Sequence, residues 1–241
     1  MVVTYCQECQ CSLSAEPIET TEGSPPQEVE LEYVYYKIRG TSFGELKEDI
    51  LYRRGPLVPK GQRSTAYTEF HLQWKYDSKY KLNFPEGSDE VVLSVEFSDI
   101  VVSISHKITM PALDDSVKLS PQDSELWDRY FEKLKQHESD HVSISSDPEI
   151  LGALKAEIGS IRTMKFGFNH MPSRADFLAG DIITLGVNTV GKKYVALIQK
   201  RYGLFDDLTK YGEADYDRDK IFKKIHHITD AEMAQGSEST D

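Results

Sequence analysis

The stretch ELWDRYFEKLKQHESDH, residues 125–141, decides the fold class of this chain, because its apolar residues recur at helical spacing. Ser120-Pro121 precede it, and a serine before a proline is typical of a helix N-terminus. Asp147-Pro148 follow it, and proline disfavours the helical conformation of the residue before it. The sequence therefore predicts a helix from about residue 122 to residue 146.

Two imidazoles lie one turn apart on this predicted helix. His137 and His141 are four residues apart, so both can face one metal ion. Glu138, between them, can hold a zinc-bound water without itself binding the metal. This H-E-x-x-H pattern supplies two zinc ligands and a general base on a single turn.

The apolar stripe that precedes the histidines supports a metal site. Trp127, Tyr130 and Leu134 recur at three- and four-residue steps, and the two histidines continue the same face. Partial burial of that face favours neutral imidazole, which is the form that binds metals. A short motif also arises by chance, so a plain α+β binding domain with a coincidental motif is an alternative.

The part of the chain before this helix is predicted to form strands. Its connections are too short for crossover helices, so we expect an antiparallel sheet that Pro111 closes. Apolar and polar residues alternate, or β-branched residues cluster, in 29–40, 66–76, 80–84, 91–97 and 100–110.

The part after residue 120 is predicted to be mainly helical. Apolar residues at helical spacing indicate a backing helix from Glu149 to Thr163 and another helix from Lys192 to Tyr202, with 165–180 as a loop. The predicted class is α+β, with an antiparallel sheet followed by the H-E-x-x-H helix and its backing helix. We expect a flexible arm at 1–28, one domain at 29–230 (29–111 mainly β, 120–230 mainly α) and a disordered tail at 231–241.

Charge and composition exclude several kinds of partner. With 40 acidic and 28 basic residues the net charge is −12, which disfavours nucleic acid and anionic membranes. No stretch is apolar enough to span a bilayer, and the N-terminus lacks a signal peptide. We therefore expect a cytoplasmic protein if the N-terminus is complete, and a secreted or periplasmic one if a leader is missing. Nothing indicates the oligomeric state or a role for Cys6, Cys9 and Cys11.

Several stretches resemble a bacterial family catalogued as domain of unknown function 922. They extend from about Tyr35 to Gly212 and are YYKIRG (35–40), TMP (109–111), residues 127–141 and FDDLTKYG (205–212). The members of this family are described as zinc-dependent proteases. The resemblance therefore implies a zincin-type fold of the gluzincin or minigluzincin kind, Zn²⁺ as cofactor, and a peptide or protein as substrate.

The third zinc ligand is left open by the sequence. Tyr211 stands where the resemblance leads us to expect a histidine, and phenol is a poorer ligand because it must lose a proton of pKa about 10. Glu157 on the backing helix is the gluzincin-like choice and ranks equally with Tyr211. Asp206, which matches the family pattern, comes next, and His170 comes last.

These features together predict a zinc-dependent metallopeptidase. Glu138 would act as general base on a zinc-bound water, with His137, His141 and either Tyr211 or Glu157 as ligands. The alternative is a non-catalytic or degenerate metal-binding or interaction domain that has lost its third ligand.

Overall fold

A computed structural model describes residues 2–6, 30–57, 63–87, 89–167 and 172–237, with the backbone alone at 2–6, 172–177 and 231–237. The chain forms two compact units. Unit 1 comprises residues 1–28, 72–103 and 147–196, and unit 2 comprises residues 29–71, 104–146 and 197–241. Every candidate site residue discussed below, apart from Glu157 and His170, belongs to unit 2.

Five strands and five helices form an α+β fold within the ranges just given. A π-helical turn, Ile50–Arg54, follows the first helix. The elements in chain order are β1 (Val2–Cys6), β2 (Glu30–Ile38), α1 (Phe43–Asp49), β3 (Tyr67–Asn83), β4 (Glu90–Leu113), α2 (Pro121–Ser145), α3 (Pro148–Ser160), β5 (Thr163–Gly167), α4 (Pro172–Thr209) and α5 (Arg218–Ser237).

The sheet is mixed, which corrects the prediction of an antiparallel sheet. The strand order is β1-β3-β4-β2, and β5 also pairs with β4. β2 runs parallel to β4, with Glu30 opposite Ser105 and Ile38 opposite Leu113, whereas β5 is antiparallel to β4. The prediction assumed that consecutive strands are neighbours. Instead β2 pairs with β4, so the intervening α1 and β3 provide the crossover that a parallel pair requires.

Two further strand predictions are corrected by the length of β4. The segments 91–97 and 100–110, predicted as separate strands, are continuous in β4. Pro111 does not end it, because β4 continues to Leu113 with Pro111 opposite Tyr36. At the edge of a pairing, a proline costs no ladder hydrogen bond if its nitrogen faces away from the partner strand.

In unit 2 the helix α2 packs its apolar stripe on the sheet. The cap is the predicted one, because the Ser120 hydroxyl accepts a hydrogen bond from the backbone N–H of Asp123. Trp127 packs with Ile38 of β2, and Leu134 packs with Ile108 of β4. The next residues of the same face are the two histidines, so core packing determines which way they point.

The helix α4 is longer than the sequence indicated. Residues 165–180 were predicted as a loop and 192–202 as a separate helix, but Pro172–Thr209 is one helix. Gly186 and Gly191 lower helix propensity and obscured its continuity. Gly191 is explained by packing in unit 1, because a Cβ there would lie 2.1 Å from the Trp74 ring.

Two further findings concern the N-terminal arm and the question of a membrane span. Of the arm predicted for 1–28, the described residues are Val2–Cys6, which form β1. Throughout the described ranges, no helix combines the length and the apolar character that crossing a bilayer requires.

Candidate metal centre

The helix α2 buries all three residues of the H-E-x-x-H pattern that carry chemistry. His137, Glu138 and His141 are 3%, 4% and 5% exposed. The imidazole rings lie edge to face with their centroids 4.8 Å apart, as expected for side chains one helical turn apart. Their Nε2 atoms are 3.2 Å apart, so the two rings converge on one point.

Asp206 of α4 completes the group. Its Oδ1 lies 3.0 Å from Nε2 of His137 and 3.0 Å from Nε2 of His141. These three residues form a potential metal-binding group among the residues described. From the sequence, Asp206 was a candidate third ligand but ranked behind Tyr211 and Glu157.

The donor set fits a zinc ion. With Zn–N and Zn–O distances of about 2.0 to 2.1 Å, ligand atoms in a tetrahedron lie about 3.3 Å apart. The observed separations of 3.0, 3.0 and 3.2 Å are close to that value.

Charge adapts the centre to a cation. Burial raises the pKa of Asp206, but hydrogen bonds from His137 and His141 outweigh it and lower that pKa to about 2. Burial lowers the pKa of His141, but Asp206, Glu138 and Asp140 reverse this and raise it overall. The carboxylate is therefore ionised at neutral pH and supplies negative charge that favours a cation at the centre.

Glu138 points to the β3 side of α2, where a threonine holds it. The Thr68 hydroxyl donates to Oε2 of Glu138 at 2.6 Å, and Thr68 is itself 2% exposed. Burial raises the pKa of Glu138, although His141, His137 and Thr68 partly oppose the shift. A carboxyl group with a raised pKa is better suited to accept and return a proton near neutral pH.

Aromatic rings of α4 surround the two histidines. Phe205 stacks on His137 at 4.8 Å between centroids with an interplanar angle of 17°. Tyr202 packs on His141 at 4.3 Å, and its hydroxyl donates to Ser145 Oγ at 2.9 Å. Such packing fixes the ring orientations and excludes water from their flanks.

The hydroxyl of Ser145 connects the centre to β4. It lies 2.7 Å from Nε2 of His106 and donates to the carbonyl of His141 at 3.1 Å. His106 is 2% exposed, and its Nδ1 has no hydrogen-bond partner within the described part of the chain. Burial, and secondarily His71, lowers the pKa of His106 to about 4. Sequence reasoning did not select His106, Ser145 or Tyr202, because residues so far apart along the chain form no local pattern.

The turn after α4 approaches His137 closely. Lys210 and Tyr211 have positive φ, as does Gly212 at +79°, and a Cβ on Gly212 would lie 3.0 Å from the His137 side chain. Glycine is therefore required at position 212, because of the positive φ and because a Cβ would crowd His137. Together with Asp140, Gly212 lines a cavity of about 390 Å³.

The two other candidate third ligands that the structure describes, Tyr211 and Glu157, have different surroundings. Tyr211 is 67% exposed, and its backbone N–H bonds to the Asp206 carbonyl. Glu157 lies in unit 1, where its carboxylate accepts from Lys193 at 2.9 Å and from the Tyr194 hydroxyl at 2.8 Å. His170 lies outside the described residues.

Comparison with known proteins identifies a family but no characterised relative. A family described as bacterial protein of unknown function, DUF922, matches residues 33–163, more than half of the chain. The match includes α2 with both histidines and Glu138, and it ends before Asp206 and the 205–212 stretch that also carried the resemblance. No curated protein and no solved structure matches this chain.

Proposed function

We propose that this chain, which belongs to the bacterial protein family of unknown function DUF922, is a zinc-dependent peptidase. The observation that supports this best is the convergence of His137, His141 and Asp206 within 3.0 to 3.2 Å, beside the buried carboxylate of Glu138. Two imidazoles and one carboxylate match the ligand set of catalytic zinc sites that keep a fourth position open.

Each side chain has a role that its position allows. His137, His141 and Asp206 would hold the metal, and zinc there would polarise a carbonyl and lower the pKa of water toward about 7. Glu138 would take a proton from the attacking water and deliver it to the leaving amine. The bond from Thr68 keeps one oxygen of Glu138 occupied, so the other oxygen is the one that exchanges the proton.

A peptide substrate is favoured by the combination of a general base with the metal ligands. Burial opposes the charge of Glu138, and the side-chain hydrogen bond it accepts comes from the neutral hydroxyl of Thr68, so a structural ion pair does not account for this carboxylate. In H-E-x-x-H helices of metalloproteases this glutamate is the general base.

The test combines metal analysis with peptide cleavage. We expect about one zinc per purified chain and cleavage of a quenched fluorescent peptide library by the zinc-loaded protein. Glu138→Gln should retain zinc but lose at least about a hundredfold in cleavage rate, since it removes the base but no ligand. Glu132→Gln, an exposed glutamate of the same helix, is the matched control and should keep full activity. Absence of bound zinc in the wild type would reject the proposal.

The second candidate is a metal-binding domain without peptidase activity. It is favoured by Tyr211, which stands where the resemblance leads us to expect a histidine and leaves its side chain 67% exposed. Stoichiometric zinc without Glu138-dependent cleavage of any library peptide would support this candidate over the peptidase.

A further inference from the structure

A buried carboxylate on the H-E-x-x-H turn has no part in the chemistry proposed above. Asp140 lies between the two histidines of α2 and is 0% exposed. An ionised carboxylate in that position is unfavourable unless it is paired and hydrogen-bonded. Its partners therefore reveal what this part of α2 binds.

Asp140 receives three hydrogen bonds, and two come from beyond α4. Arg218 donates from Nε to Oδ1 at 2.7 Å, and the Tyr216 hydroxyl donates to Oδ2 at 2.8 Å. Gln136, one turn earlier on α2, adds a third bond to Oδ1 at 3.0 Å. Burial, reinforced by the bond to Asp140, raises the pKa of Tyr216, so the phenol keeps its proton and remains a donor.

Tyr216 and Arg218 belong to the segment that follows the third ligand. α4 carries Asp206 and ends at Thr209. The chain then turns at Gly212, passes Tyr216 and enters α5 at Arg218. The same segment packs internally, because Tyr216 lies edge-on to Phe205, the neighbour of Asp206, at 5.5 Å. Asp140 therefore connects the segment that follows Asp206 to the turn of α2 that carries the histidines.

This attachment is one of the contacts that can hold the distances of the centre. Zinc affinity requires that Asp206 Oδ1 stay within about 0.5 Å of its place opposite both Nε2 atoms. Asp206 and the histidines lie on different helices, so their separation is determined by every contact that joins the two segments. The rings of Phe205 and Tyr202 pack directly on the histidines, and Asp140 adds the contact with the segment after α4. The exposed pair of Lys133 with Asp215 also joins these segments, but such surface pairs contribute little.

We propose that Tyr216 and Arg218 are positioning residues for the metal centre, acting through Asp140 to hold Asp206 opposite His137 and His141. The proposal rests on the proposed function only in requiring that the centre bind zinc. Substitution of residues that orient metal ligands typically lowers metal affinity about 10- to 100-fold.

The experiment measures the zinc dissociation constant of the full chain by competition with a chromophoric chelator. Arg218→Ala should weaken zinc binding about tenfold or more. Tyr216→Phe, which removes only a hydroxyl, should weaken it less. The double variant Asp140→Asn with Arg218→Ala should lose less affinity than the sum of the losses of the two single variants, since the two residues share a contact. Circular dichroism and thermal unfolding of the metal-free proteins establish that each variant is folded.

Two control variants separate positioning from general destabilisation. Lys133→Ala removes the exposed pair between the same segments, and Arg201→Ala removes a buried arginine that binds Thr229 and Asp230 of α5. Both should leave zinc affinity within about threefold, although Arg201→Ala lowers the unfolding temperature. Unchanged affinity in Tyr216→Phe and Arg218→Ala would overturn the positioning role while leaving the zinc site intact. A wild type without zinc would overturn both proposals.

Discussion

Asp206 and Tyr211 lie close together in the sequence but differ in where their side chains point. Oδ1 of Asp206 lies 3.0 Å from Nε2 of each histidine, whereas the side chain of Tyr211 is 67% exposed. The carboxylate is also ionised at neutral pH, since its pKa is lowered to about 2 after the histidine bonds outweigh its burial. A phenol would have to lose its proton to serve as a ligand.

The two candidates can be separated by single substitutions. Asp206→Ala should weaken zinc binding at least about a hundredfold, because it removes one of three ligand atoms. Tyr211→Phe and Glu157→Gln should keep wild-type affinity, since the first side chain is exposed and the second is bound to Lys193 and Tyr194. The measurement is zinc stoichiometry and affinity for each purified variant, and zinc loss in Tyr211→Phe alone would reassign the ligand.

At the same scale, sequence reasoning selected two of the three residues that the structure brings together and ranked the third lower. His137, Glu138 and His141 are recognisable because their spacing and their register with Trp127 and Leu134 are local properties of one helix. Asp206 was considered but not preferred, because spacing within one helix says nothing about a ligand on another. No local sequence motif marks His106, Ser145 or Tyr202.

At the scale of elements, α4 is the helix that the sequence resolved least well. Its glycines suggested interruptions, yet Pro172–Thr209 is continuous. Packing compensates for the low helix propensity of Gly191, since the absence of a Cβ lets the ring of Trp74 lie directly against the helix. The same contact helps to explain why Trp74 is 0% exposed.

This packing predicts opposite effects for two glycines of the same helix. Gly191→Ala would place a Cβ 2.1 Å from the Trp74 ring and should lower the free energy of unfolding by about 2 to 3 kcal/mol. Gly203→Ala meets nothing within 4 Å and should raise it by about 0.5 to 1 kcal/mol, because alanine is the better helix former. Chemical denaturation of both variants measures the difference, and equal effects would contradict the packing argument.

At the scale of the whole molecule, His106 should make stability depend on pH. Its pKa falls from about 6.5 in the unfolded chain to about 4 in the folded protein, mainly because it is buried. Above about pH 6.5 the imidazole of His106 is neutral in both the folded protein and the unfolded chain. As the pH falls from 6.5 towards 4, the unfolded chain takes up a proton that the folded protein does not. Folding therefore loses about 3 kcal/mol of stability over this window.

The contribution of His106 can be isolated from the other titrating groups by difference. Glu138, His141 and Asp206 also have shifted pKa values, but they are common to the wild type and His106→Gln. We expect the wild type to lose about 3 kcal/mol relative to His106→Gln between pH 7.5 and pH 4. Urea unfolding of the metal-free proteins measures this difference. A difference that does not change with pH would show that His106 is protonated as easily in the folded protein as in the unfolded chain.

The sequence by itself determined the features that depend on neighbouring residues. These are the α+β class, the bounds of α2 with its Ser120 cap, and the presence of His137, Glu138 and His141 on one turn of it. Helical periodicity, capping and proline stops act within a few residues, so a single chain displays them directly.

Tertiary structure alone decided the features that depend on distant residues. The parallel pairing of β2 with β4 follows from which strand lies next to which, and the approach of Asp206 to both histidines follows from how the end of α4 meets α2. Both are results of packing and of buried contacts such as that of Asp140 with Arg218, which join residues far apart in the chain. No local pattern encodes such contacts, because their free energy arises only when the separate elements come together.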